Sequence, residues 1–129
     1  MTEAEARDQI VAYCSRLYER ALVAGNSGNV SVRLDDGSLV VTRAGASLRA
    51  LVPQDLVVCE PDGVPRDPTS RPTSELPLHL AAYRVRRDIR CVIHTHPIYC
   101  VAWSKMGRLF PLDTVGAVES LGPTGDQRR

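Results

Sequence analysis

The stretch Val30-Ser31-Val32-Arg33-Leu34-Asp35-Asp36-Gly37-Ser38-Leu39-Val40-Val41-Thr42 decides how this chain folds. Two runs rich in β-branched residues flank an Asp-Gly turn, which is the signature of a β-hairpin. Residues 30–34 are therefore expected to pair with 38–42. Upstream, Ile10, Val11, Cys14, Leu17, Tyr18, Ala21 and Leu22 recur at spacings of three and four. They mark one face of an amphipathic helix over residues 3–24. Thr2 and Glu5 supply a capping box at its start, and the loop Gly25-Asn26-Ser27-Gly28-Asn29 stops it.

Downstream, Leu56-Val57-Val58-Cys59 reads as another strand, ended by the turn Pro61-Asp62-Gly63. Pro65, Pro68 and Pro72 mark residues 64–73 as a surface loop. Ser74 is expected to cap a helix with Glu75 and Pro77 in its first turn. Leu76, Leu80, Tyr83 and Val85 form its apolar side, and Arg84, Arg86 and Arg87 its wet face. Residues 89–96 read as a buried strand stopped by Pro97, followed by a short helix near 98–106. Phe110-Pro111-Leu112 reads as one more extended segment, and 119–129 as a frayed tail.

At 129 residues, 43% hydrophobic and 24% charged, the chain has the composition of one globular domain. A net charge of +1 and an aromatic content of 5% give no general attraction to nucleic acid or anionic membrane, and no base-stacking surface. No apolar run approaches the roughly 20 residues that span a bilayer. The opening MTEAEARDQI is acidic and polar, unlike a signal peptide. Cys14, Cys59, Cys91 and Cys100 are dispersed and form no CxxC pair. A cytoplasmic protein without nucleic-acid or membrane partners is expected.

The chain has three histidines, and two of them form His94-Thr95-His96. On a strand, residues two apart share a face, with α-carbons about 6.6 Å apart. Two imidazoles so placed can converge on one divalent cation, or can be buried and satisfied by hydrogen bonds. Cys91 has the opposite parity and faces away; Cys100 lies beyond Pro97, and both read as packing residues. Glu75 sits in a helical first turn, a position the helix dipole favours without any catalysis. His79 follows one turn later without an HExxH pattern and reads as structural. The 25–29 loop is neither GxGxxG nor a Walker loop, but its glycines and the Asn29 amide can approach an anion. No G-x-S-x-G elbow is present.

Four motifs in order carry a resemblance. They are Gly28-Asn29-Val30-Ser31-Val32-Arg33, Val41-Thr42-Arg43-Ala44-Gly45, Arg71-Pro72-Thr73-Ser74-Glu75 and Val92-Ile93-His94-Thr95-His96. Together they resemble the class II aldolase/adducin family, from the first helix to about Phe110. The resemblance implies an α/β/α sandwich around a largely antiparallel sheet. Residues 1–118 would be the N-terminal part of that domain, incomplete at the C-terminus, with 119–129 a disordered tail. It also implies a homo-oligomer, tetrameric in the family, with active sites at subunit interfaces. A zinc ion or another divalent metal would be held by His94, His96 and a third histidine far downstream. Glu75 takes the place of the catalytic acid/base, and Asn29, Gly45, Thr73 and Ser74 match positions that hold a substrate phosphate.

The implied reaction is zinc-dependent retro-aldol cleavage of a ketose 1-phosphate through a metal-stabilised enediolate, the substrate being a small phosphorylated sugar or sugar acid. Epimerases of the family carry Asp where Glu75 stands, which leans the reading toward aldol chemistry. Gly45-Ala46-Ser47-Leu48 and Glu75-Leu76-Pro77-Leu78-His79 are also similar to stretches of 3-oxo-tetronate-phosphate decarboxylases. A non-catalytic adducin-like binding or assembly module is the third reading, against which the presence of His94, His96 and Glu75 weighs. Two departures stand out. Ala44 replaces the hydroxyl usual before the glycine, with Ser47 as the nearby substitute, and no histidine follows His96. Little or no turnover is therefore expected from this chain alone.

Overall fold

The computed structural model describes residues 1–107. Its elements are α1 (Glu3–Glu19), β1 (Asn29–Arg33), β2 (Leu39–Thr42), β3 (Leu56–Cys59), α2 (Leu76–Val85), β4 (Cys91–His94) and α3 (Ile98–Lys105), with short 3-10 turns at Leu48–Ala50 and Pro53–Asp55. Residues Met1–Pro97 form one compact unit; a second begins at Ile98, and its described part is α3 with the two residues after it. Among the described residues no helix is long and apolar enough to cross a membrane.

The expected hairpin is the centre of an antiparallel sheet of order β3-β2-β1-β4. Val32 faces Val40 across it, Val40 faces Val58, and Val32 faces Cys91. Alternation then sorts the side chains into two layers. Val30, Val32, Val40 and Leu56 pack with Ala6, Ile10 and Cys14 of α1. Leu39, Val41, Val57 and Cys59 pack on the other face with Leu76 and Tyr83 of α2. The first unit is thus a helix–sheet–helix sandwich with a core on each side of one sheet.

Four local expectations change. The first helix ends at Glu19, not at 24, because Ala21 turns left-handed with φ 55°. The Ala21 N–H bonds Tyr18 O and the Leu22 N–H bonds Leu17 O, both at 3.0 Å, the pair of bonds that defines a Schellman termination. Ser74 does not cap α2. Glu75 holds the cap position, and its N–H reaches Thr73 Oγ1 at 3.3 Å. Val85, expected on the apolar side of α2, is 80% exposed. The buried strand expected over 89–96 shrinks to Cys91–His94, with Cys91 and Ile93 exposed. That strand is an edge among the described residues, and α1 packs over β1 and β2. The extended segment expected at 110–112 and the tail at 119–129 lie outside the described residues.

Candidate metal centre and anion cleft

Sheet register builds the centre. Asn29 opens β1 directly opposite His94, the last residue of β4, so both side chains leave the sheet on the α2 side. Glu75 comes from the cap of α2 and reaches the same spot. Its Oε2 accepts the Asn29 Nδ2–H at 2.5 Å and the His94 Nδ1–H at 2.6 Å. The hydrogen bond from Asn29 is the main reason that the Glu75 carboxyl lies below its ordinary pKa, with His94 and His96 adding to it against a smaller cost of burial. An ionised, acceptor-only carboxylate is what those two donors require.

His96 lies two residues beyond the end of β4. Its backbone N–H bonds Leu22 O at 3.0 Å, and its Nε2 sits 3.0 Å from His94 Nε2. Glu75, His94 and His96 offer one ligand atom each, all within 4.8 Å of one another. Nitrogens bound tetrahedrally at 2.0–2.1 Å from zinc stand about 3.3 Å apart, so the two rings need to open by only a few tenths of an ångström. Two imidazole nitrogens so placed are donors that suit a divalent cation. The Glu75 carboxylate on Nδ1 also leaves the lone pair of His94 at Nε2, the orienting arrangement typical of histidine ligands.

Beside this centre opens a cleft of about 210 Å³ lined by Asn29, Gly45, Thr73, Ser74, Glu75 and His96. Its wall consists of two loop segments held side by side. Ala44 N–H bonds Arg71 O, and Thr73 N–H bonds Thr42 O, each at 2.9 Å. The structure therefore brings all seven sequence-selected residues to one place. Ser47 does not substitute for the hydroxyl absent at Ala44, because its Oγ is committed to Gly25 O at 3.1 Å. A larger cleft, about 600 Å³, lies at the β3 edge by Arg7 and Arg66 and gathers none of these donors. Cys91 lies in the apolar groove on the α1 side with Ile10 and Val32, as strand parity implies.

The residues that sequence reading missed lie beneath Glu75. His79 is fully buried, with ring nitrogens 2.5 Å from Asn29 Oδ1 and 2.7 Å from Ser31 Oγ. Ser31 was visible only as a strand residue at i, i+2 from Asn29, and Tyr83 only as part of the apolar side of its helix at i, i+4 from His79, spacings that place each pair on one face of its element.

A model of the Class II Aldolase and Adducin N-terminal domain matches residues 8–126. This chain belongs to the class II aldolase and adducin family. It is 37% identical over 107 residues to L-fuculose phosphate aldolase of Methanococcus maripaludis, covering 82% of this chain and 57% of that protein. It is 32% identical over 115 residues to 3-oxo-tetronate 4-phosphate decarboxylase of Haemophilus influenzae, covering 89% and 54% respectively. A solved L-fuculose 1-phosphate aldolase superposes with a TM-score of 0.74 at 27% identity, over 82% of this chain and 50% of that one. The chain thus spans about half the length of the family members it matches. The antiparallel sheet between helices is the fold expected of a class II aldolase chain.

Proposed function

We infer that this chain carries the metal and acid/base half of a sugar-phosphate lyase site, with zinc or another divalent cation as cofactor and a phosphorylated ketose as substrate. The carrying observation is the meeting of Glu75, His94 and His96 within 4.8 Å, at the edge of a cleft walled by Asn29, Gly45, Thr73 and Ser74. His94 and His96 would hold the cation, which when bound supplies Lewis-acid polarisation of substrate oxygens. The remaining work falls to the chain's own groups.

The amides and hydroxyls around Gly45, Thr73, Ser74 and Asn29 receive the phosphate, far enough from the reacting bond to hold the substrate without taking part in the chemistry. Glu75 Oε2 is an ionised oxygen at the boundary between cleft and imidazoles. It is the group that takes a proton from the substrate hydroxyl or carbon and returns it. The assembly proposed for the protein is a cytoplasmic homo-oligomer, tetrameric in keeping with the family resemblance.

A second reading has its own support. The decarboxylase relative aligns with 89% of this chain, and a 3-oxo acid phosphate would use the same anion cleft and cation. Two measurements separate the readings. Isothermal titration with zinc, compared with the His94→Ala variant, tests the centre; binding lost in the variant is expected. Ketose 1-phosphate and four-carbon oxo-acid phosphate are then offered to the purified chain. Aldehyde release supports the aldolase reading, and carbon dioxide release would replace it with the decarboxylase. Absence of zinc binding together with absence of turnover would point to an adducin-like module instead.

A further inference from the structure

We propose that His79 is a positioning residue for Glu75. It holds the Asn29 side chain so that its N–H, and never its carbonyl, faces the carboxylate. The inference rests on the acid/base reading of Glu75 given above.

The argument follows hydrogen-bond polarity from the carboxylate inward. Asn29 Nδ2 lies 2.5 Å from Glu75 Oε2 and donates to it. Asn29 Oδ1 is then turned to His79 Nε2, also at 2.5 Å, and a carbonyl oxygen requires a proton on that nitrogen. His79 is completely buried, and burial draws its pKa down to about 4, so the ring is neutral and carries that one proton. Its Nδ1 is therefore a bare acceptor for the Ser31 hydroxyl at 2.7 Å. Ser31 Oγ lies 2.8 Å from Tyr83 Oη, whose proton also reaches Ser31 O at 2.9 Å.

Every bond in the series Ser31, His79, Asn29, Glu75 thus points its donor toward the carboxylate. Reversal at any link fails. A flipped Asn29 would set a carbonyl against an anion and its NH₂ against a protonated Nε2. Ser31, His79 and Tyr83 are buried, so no water is at hand on the His79 side to mend such a mismatch, and a buried unpaired polar group is costly. Among the described residues no buried side-chain nitrogen or oxygen lacks a partner. The ring also explains why Asn29 can face an anion with a donor only: its acceptor is permanently occupied from below.

The test reads hydrogen-bond direction directly. Two-bond proton–nitrogen NMR correlations of the histidine ring in the wild-type chain should show His79 with its proton on Nε2. The Asn29 side-chain amide should exchange slowly with solvent. His79→Phe keeps the bulk but removes both ring partners, and should speed Asn29 amide exchange about tenfold, as loss of one net hydrogen bond implies. His79→Gln, whose amide can donate to Asn29 Oδ1 and accept from Ser31, should restore slow exchange. A proton found on Nδ1, or Asn29 exchange unaltered in a folded His79→Phe chain, would overturn the proposal. If His79→Phe does not fold, Ser31→Ala serves with the ring retained: His79 should keep its proton on Nε2, because Asn29 Oδ1 still requires it, and a proton moved to Nδ1 would overturn the proposal. Failure of zinc binding in the wild type counts against the lyase reading and leaves these NMR outcomes readable.

Discussion

Replacing Gly28 by alanine tests whether the backbone between α1 and β1 sets the position of the candidate metal centre. Gly28 has φ 81°, and a Cβ built on it would lie 2.5 Å from Val23 Cγ1 and 2.9 Å from His94 O. Carbon atoms in comfortable contact stand roughly 3.5–4.0 Å apart, so about 1 Å must be opened. The Val23 side chain, itself buried, can yield only part of it, and the carbonyl belongs to the β4 residue that carries an imidazole. Left-handed backbone costs a non-glycine residue roughly 1–2 kcal/mol, and overpacking adds roughly 1–3 kcal/mol, which sums to about 2–5 kcal/mol. Gly45 supplies the internal control. Its φ is 72°, but a Cβ there meets nothing within 4 Å, so Gly45→Ala should show the backbone penalty alone, about 1–2 kcal/mol. Urea denaturation gives both values, and zinc titration of the two variants should show weaker binding only for Gly28→Ala, through the displaced His94. If the two substitutions cost the same within about 0.5 kcal/mol, the close approach of Gly28 to Val23 and His94 is not a structural constraint and the reasoning fails.

Ala21→Gly should stabilise the chain by about 1 kcal/mol in urea unfolding, because Ala21 occupies a left-handed position at φ 55° where glycine carries no Cβ penalty; unchanged or reduced stability would mean that the turn after α1 is not formed this way. Arg7→Met should cost roughly 1.5–3 kcal/mol by the same assay, since Arg7 Nη1 donates to Pro53 O at 2.5 Å and Leu56 O at 2.8 Å, whereas a loss below 0.5 kcal/mol would show those carbonyls to be satisfied otherwise. Burial lowers the His79 pKa from 6.5 to about 4, so between those values the unfolded chain binds a proton that the folded chain refuses, and stability falls as pH falls. From pH 7 to pH 5 the loss is about 2 kcal/mol, and the same pH step in His79→Gln should lack it; equal losses in both proteins would remove His79 as the cause.

Local pattern made the hairpin and both helices of the first unit legible, because each rests on side chains within a few residues of one another. The end of α1 was not legible: Ala21 and Leu22 continue the apolar spacing, and only the backbone shows that Ala21 has already left the helix. The exposure of Cys91 and Ile93 was hidden for a different reason. An apolar run states that a strand can be buried, while its neighbours decide whether it is. At the site, parity put His94 and His96 on one face, yet spacing alone could not choose between a metal pair and two satisfied core histidines. The choice depends on Glu75, which lies 19 positions from His94, and their meeting is produced by the antiparallel register that sets Asn29 opposite His94. The same register explains why His79 read as an ordinary buried histidine. Its significance lies in which atom of Asn29 it faces, and Asn29 is 50 positions away. A polar residue on a helix face gains meaning only when the sheet delivers its partner, so the orienting groups of a site are harder to read from sequence than the groups they orient.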